Sequence, residues 1–153
     1  GVSSAASDVY KRQVEDRYDY CFIDCPPGVG INVLNALVAA NDVIIPIKAD
    51  KNALDGMEEL TEVIEEVRPY NPGLSMVKCL VTMFTNDIEV VKGEEALQKS
   101  TYSTFYTHIR HSKKVNAWTF EKGKSLVEVT PKSAATRDYK NLALEYMDLT
   151  KGA

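Results

Sequence analysis

Cysteine is scarce in this chain. Cys21, Cys25 and Cys79 are three among 153 residues, an odd number without framework spacing, which excludes a disulfide-stapled scaffold and suits a reduced, cytosolic protein. Cys21 and Cys25 straddle an apolar run and the turn after it, and no second Cys/His pair stands at zinc spacing, so a zinc site is not expected. No apolar run approaches the roughly 18 residues of a membrane span. Basic charge is not in excess either: 18 Lys and Arg face 22 Asp and Glu. A net charge of −4 provides no global drive toward DNA or anionic lipid, so any such binding must come from a local patch. What is present, 44% hydrophobic, 26% charged and 8% aromatic residues, is the balance of one soluble globular domain.

The first thirteen residues, GVSSAASDVYKRQ, are small and polar and carry neither a hydrophobic period nor the apolar centre of a signal peptide. Val2 to Gln13 resembles the in-frame translation of a transposase-type sequencing-library adapter. Residues 1–13 are therefore read as a non-native tail and 14–153 as the C-terminal portion of a domain whose natural chain continued upstream of Val14. An ordinary disordered N-terminus is the other reading. Without the tail the chain has 16 basic and 21 acidic residues, a net of −5.

From Tyr18 onward, short apolar runs alternate with helical patterns at βα spacing, the signature of an α/β fold with a parallel sheet flanked by helices. Strands are expected at Tyr18–Ile23, Asp42–Ile47 (with Pro46 marking its end), Met76–Met83 and Phe105–Ile109. Helices are expected at Asn32–Ala40, from Leu54 to Val67 (Leu54, Met57, Leu60, Ile64 and Val67 at helical spacing), and at Glu89–Ser100. The glutamates of the second form a solvated face. Arg68, Pro69, Asn71, Pro72 and Gly73 stop that helix. A last helix is expected with Thr130 as N-cap, Pro131 in the first turn, and Ala135, Tyr139, Leu142, Tyr146 and Leu149 as its apolar stripe. Cys79 reads as core, His108 and His111 as surface residues, and Trp118 and Phe120 as packing for a short helix.

The informative segment is Tyr18 to Gly30, YDYCFIDCPPGVG, an apolar run ending in a carboxylate and followed at once by Pro26, Pro27 and Gly28. An acid at the carboxyl end of a buried parallel strand lies at the ligand-binding edge of such a sheet. There Asp24 can hold a water on Mg²⁺ while the ion bridges phosphates, and a glycine turn can approach the terminal phosphate closely. From the run and the acid alone, an Asp that merely caps the following turn is the favoured reading.

The stretch from Tyr18 to Leu60 resembles the Walker B and switch II region of the ParA/MinD family of deviant-Walker ATPases. Asn35, Ala36, Leu37 and Ala40, then Pro46, then Leu54, Gly56 and Leu60 fall where that family places its characteristic residues. His108–Val115 (HIRHSKKV), the Gly123–Lys124 turn and PKSAATRDYKNLALEY look like its C-terminal third, so the resemblance runs over nearly all of residues 18–148.

The resemblance implies a three-layer P-loop NTPase-like fold of the SIMIBI type, truncated at its N-terminus, with ATP and Mg²⁺ as cofactors of the intact parent. Asp24 becomes the catalytic acid holding Mg²⁺ through water, Pro26, Pro27 and Gly28 the turn beside the phosphates, and Thr82 and Met83 the contact to the base. Arg110, Lys113 and Lys114, with Lys122 and Lys124 near them in sequence, become the surface for non-specific DNA. The implied activity is plasmid or chromosome partitioning in the bacterial cytoplasm. An ATP-bound homodimer would associate with the nucleoid, and a ParB-like partner would stimulate hydrolysis.

The departures matter as much. The family's K-G-G-x-G-K-S/T loop is absent from this sequence, and Gly28-Val29-Gly30 belongs to switch II. The piece by itself is therefore expected to bind no ATP tightly and to be inactive, with an exposed apolar sheet edge that makes it oligomerise. Two other readings stay open. A MinD-like membrane-cycling ATPase would end in a basic amphipathic helix, whereas this chain ends YMDLTKGA, which argues against a membrane role. A non-enzymatic α/β interaction module would need no phosphate loop.

Overall fold

A computed structural model describes residues 17–50, 52–118 and 123–151 of the chain. The tail 1–13, its boundary at Val14, Phe120 and Lys122 lie outside the described residues, as does the side chain of Trp118. In chain order the elements are α1 (Ile31–Ala39), β1 (Asp42–Lys48), α2 (Ala53–Val67), a 3₁₀ turn (Arg68–Tyr70), β2 (Met76–Thr82), α3 (Ile88–Lys99), α4 (Lys113–Trp118), α5 (Leu126–Val129) and α6 (Ala134–Thr150). The result is an α/β fold, a parallel sheet with flanking helices. By contact the chain divides into two units, Gly1–Val43 with Asp55–Val77, and Ile44–Leu54 with Lys78–Ala153.

In the first unit, Ala36, Leu37 and Ala39 of α1 are buried, as are Met57, Ile64 and Val67 of α2, spaced on one helical face, and Leu74. Asn71 ties the segments together. Its amide nitrogen donates to the carbonyls of Leu37 at 2.8 Å and Ala40 at 2.6 Å, two acceptors that the end of α1 leaves without helical partners. Its amide oxygen accepts from the Gly73 backbone at 3.1 Å, closing the turn before β2. The stop signal read from Asn71, Pro72 and Gly73 is thus also a tertiary clamp.

The expected strand at Tyr18–Ile23 is not formed. The segment has no regular structure, and Tyr18, Tyr20, Phe22 and Ile23 are exposed, Phe22 to 89%. A run of apolar residues becomes a strand only where a neighbour completes its ladder, and among the described residues the sheet consists of β1 and β2. Pro46 does not end its strand either. β1 continues to Lys48, which is tolerated because β1 is an edge of that sheet.

In the second unit, Ile45, Cys79, Leu80 and Val81 of the paired strands are buried with Phe84, Leu97, Phe105, Ile109 and Ala135. The expected strand at Phe105–Ile109 is interrupted. Parallel bridges join Cys79 to Thr104 and Phe84 to Arg110, on either side of a gap. Phe105 N–H donates to Cys79 O at 2.9 Å and Ile109 N–H to Val81 O at 2.9 Å. The acceptors are two positions apart and the donors four, so the 103–111 segment carries a two-residue bulge there.

Helix α6 supplies what the bulge lacks. The Glu145 carboxylate accepts from the backbone N–H groups of Tyr106 at 2.8 Å and Thr107 at 2.9 Å. Its N-cap is Ser133, whose hydroxyl accepts from Thr136 N–H at 3.1 Å, and not Thr130, which instead caps the C-terminus of α5. The expected apolar stripe is also corrected. Ala135 is fully buried and Leu142 and Tyr146 half-buried, but Tyr139 and Leu149 are exposed, and Thr136 and Asp138 take buried places on that side.

Gly93 sets the approach of α3. A Cβ there would stand 2.8 Å from Ala49 O and 2.9 Å from Ala49 C, both main-chain atoms of a fully buried residue. Gly93→Ala should therefore cost about 2 kcal/mol through overpacking, despite the better helix propensity of Ala. An unchanged urea midpoint in Gly93→Ala would show that α3 does not press on the chain at Ala49.

Candidate functional site

The residues of the acid-ended motif lie in the first unit. Asp24, Pro26, Pro27 and Gly28 form one exposed, irregular loop that runs into α1 at Gly30, whose carbonyl accepts from Leu34 N–H at 3.1 Å. Gly28 has φ +90°, a conformation that favours glycine. The loop therefore offers a carboxylate and a glycine turn ahead of a helix.

The remaining sequence-derived residues lie in the second unit, at the carboxyl ends of its strands. Thr82 closes β2 with its hydroxyl donating to Ile47 O at 3.4 Å. Met83 follows with φ 52°, unusual for a residue with a Cβ, and is 54% exposed. Phe84 then turns inward and stacks on His108, ring centroids 3.8 Å apart. His108 Nδ1 lies 2.8 Å from Glu94 Oε1 of α3, so this histidine is a half-buried packing residue and not the surface residue expected, while His111 is exposed.

Arg110 and the two lysines are placed differently. Lys113 and Lys114 are exposed in the first turn of α4, where Ser112 accepts through its hydroxyl from Lys114 N–H at 3.2 Å. A helix start favours acids, and this one has none, so the two cations are not there for the stability of α4. The Arg110 guanidinium is instead clamped on Asp138 of α6: Nη2 donates to Oδ1 at 2.6 Å and Nε to Oδ2 at 2.9 Å. The Arg110 backbone N–H donates to the same Oδ2 at 3.0 Å.

Burial pushes the Asp138 carboxyl up, but the hydrogen bonds and charge of Arg110, with His108 adding a little, outweigh it and hold the group below the usual carboxylate range. The bond to Asp138 pushes Arg110 up. Burial likewise pushes the Cys79 thiol up, which makes it inert core.

Sequence reasoning missed Asp138, Glu145 and Glu94. The available signal was an acid three residues after Ala135 on the buried side of an amphipathic helix, a placement that demands a partner. Nothing local named Arg110 as that partner, 28 residues away.

A family model described as an AAA domain matches residues 8–76, so it overlaps the last six residues of the tail. The chain is 46% identical over 74 residues to the chromosome partitioning protein ParA of Myxococcus xanthus, covering 48% of this chain and 26% of that protein. It is 34% identical over 137 residues to the chromosome-partitioning ATPase Soj of Thermus thermophilus, covering 87% and 54%. The sporulation initiation inhibitor protein Soj of Bacillus subtilis is 31% identical over 137 residues, covering 86% and 53%.

The chain belongs to the ParA/Soj-like family of P-loop ATPases. This ParA/Soj-like chain spans about half the length of the two Soj proteins. It shares its fold with the crystal structure of a plasmid partition protein from Borrelia burgdorferi, at a TM-score of 0.56 and 18% identity, over 92% of this chain and 53% of that one.

The Arg110–Asp138 pair gives a prediction with a definite sign. A carboxylate held below its unfolded value contributes stability that is fully present above the unfolded value and is lost as pH falls through the folded one. Asp138→Asn should cost about 2 kcal/mol at neutral pH, less than for a fully buried pair because the Arg110 side chain is 42% exposed. In urea titrations the gap between parent and variant should hold above about pH 5 and close below about pH 4. A gap that persists in acid would mean that the charge on Asp138 is irrelevant.

Proposed function

We propose that this chain carries the Mg²⁺-organising acid and the DNA-contacting turn of a bacterial partition ATPase. In the intact protein, ATP would be bound between two subunits, the dimer would hold non-specific DNA on the nucleoid, and a ParB-like partner would trigger hydrolysis and release. The observation that carries this reading is the 34% identity to the Soj ATPase over 137 residues, a span long enough to take in both the Asp24 loop and the Lys113–Lys114 turn.

The residues present suit Mg²⁺ and the terminal phosphate in part. Mg²⁺ is held through one or two carboxylates, with waters and phosphate oxygens completing its octahedron. A single exposed carboxylate at Asp24 matches that donor set, and a Cβ built at Gly28 meets no atom within 4 Å, so the turn leaves room for a phosphate. The bound ion supplies charge neutralisation of the phosphates. Asp24 would hold the ion through a water, and Pro26 and Pro27 restrict the backbone so that Gly28 keeps its left-handed turn.

No phosphate-gripping lysine loop stands in the sequence, so turnover belongs to the longer parent. Thr82, the half-buried last residue of β2, and Met83, exposed just beyond it, are assigned to the nucleotide base. No described helix is long and apolar enough to cross a membrane, and the proposed surface is DNA, with Lys113 and Lys114 facing phosphates.

The test is Mg²⁺-dependent ATP hydrolysis by a protein in which residues 14–153 follow an intact phosphate loop. Asp24→Ala should lower kcat about a hundredfold or more, the loss of several kcal/mol of charge organisation. Residues 14–153 alone should show no turnover. Undiminished kcat in Asp24→Ala would remove Asp24 from the site, and turnover by residues 14–153 alone would show that the phosphate grip lies within them.

A further inference from the structure

Three features of the second unit lead away from a simple phosphate contact at Arg110. Its fork is already filled, with Nε and Nη2 both bound to one carboxylate. That carboxylate also takes the Arg110 backbone N–H, so a single buried group grips the residue by its side chain and its main chain together. The gripped residue is also the last one bridged to the chain that continues from β2: Phe84, two residues past the strand, bridges Arg110, and His111 N–H donates to Phe84 O at 2.9 Å. Two residues later α4 begins with Lys113 and Lys114.

We propose that Asp138 and Arg110 form a latch that positions the basic turn 111–114, so that Arg110 serves DNA binding by aiming Lys113 and Lys114 rather than by touching a phosphate. Asp138 is a positioning residue, 5% exposed and on a helix that anchors the 103–111 segment a second time through Glu145. A bidentate pair commits the Nε–Nη2 edge of the guanidinium, two of its five N–H donors, to a carboxylate, and turning that edge to a phosphate instead would leave Asp138 buried and unpaired. The lysines have no such commitment to α6: both are exposed on a six-residue helix whose start is fixed by what precedes it. The inference rests on the DNA reading of Lys113 and Lys114.

The latch makes a prediction opposite in sign to simple electrostatics. Removing a negative charge beside a basic patch should tighten DNA binding. If Asp138 positions the turn, Asp138→Asn should weaken it.

The experiment measures, with ATP and Mg²⁺ present, binding of a fluorescein-labelled random-sequence duplex by a protein in which residues 14–153 follow an intact phosphate loop, across a salt series, for the parent, Lys114→Gln, Asp138→Asn and Glu145→Gln. Hydrogen exchange of the amides of residues 111–115 is followed in the same proteins. Glu145→Gln is the control. It removes the same charge from the same helix and loosens the same segment, but it does not touch the turn. Lys114→Gln should reduce the slope of log affinity against log salt by about one. Asp138→Asn should weaken binding about fivefold or more and speed exchange at 111–115, while Glu145→Gln stays within about twofold of the parent.

Equal or tighter binding by Asp138→Asn with unchanged exchange would overturn the latch. Equal losses in Asp138→Asn and Glu145→Gln would reduce it to general support of the fold and overturn it as well. If the parent does not bind DNA at low salt, the DNA reading itself fails, and faster exchange confined to Asp138→Asn would still show that the latch orders the turn. Should Asp138→Asn not fold, Arg110→Lys, which keeps the charge and loses the fork, takes its place with the same expected loss.

Discussion

The carboxylate of Asp138 is the constraint on which the edge of the second unit depends. It is buried, and a buried charge is tolerated only when its acceptor positions are filled by well-placed donors. Arg110 fills them with two side-chain nitrogens and its own backbone N–H. Two turns further along the same helix, Glu145 takes the N–H groups of Tyr106 and Thr107, which the two-residue bulge has removed from the ladder. One helix thus replaces by side chain what the sheet cannot supply by backbone. The segment stays attached to β2 although its register is broken.

Much of the helical architecture was legible in local sequence. The expected ranges Asn32–Ala40 and Glu89–Ser100 are one residue from the observed Ile31–Ala39 and Ile88–Lys99, because apolar spacing and breakers act within a few residues. β1 and β2 were legible for their β-branched runs and because each has the other as partner. Tyr18–Ile23 and Phe105–Ile109 have comparable composition but form no regular strand, the first because no strand among the described residues completes its ladder and the second because a bulge breaks its register on β2. Thr130 reads as a cap because Pro131 follows it, yet Ser133 lies closer to the helical turn that needs an acceptor, and Thr130 finishes α5 instead.

The candidate site divides along the same line. Asp24 and Gly28 could be singled out because they stand at and just after the end of an apolar run, where α/β sheets place chemistry, whereas Thr82 and Met83 were legible only through the family resemblance. That Gly28 needs its left-handed turn, and that Met83 adopts one without being glycine, are facts of backbone geometry with no signature in composition. Arg110 looked equivalent to Lys113 and Lys114 because sequence records charge but not commitment. Only the fold shows that one of three neighbouring cations is spent on a carboxylate from a distant helix.

The close approach of α3 to Ala49 has a mechanical consequence. Most helix-to-strand contacts are cushioned by side chains that can change rotamer and absorb a small displacement. At Gly93 the helix meets bare main chain, and no such cushion exists. The exit of β1 is therefore coupled stiffly to α3, and a shift of one by a fraction of an ångström must be passed to the other.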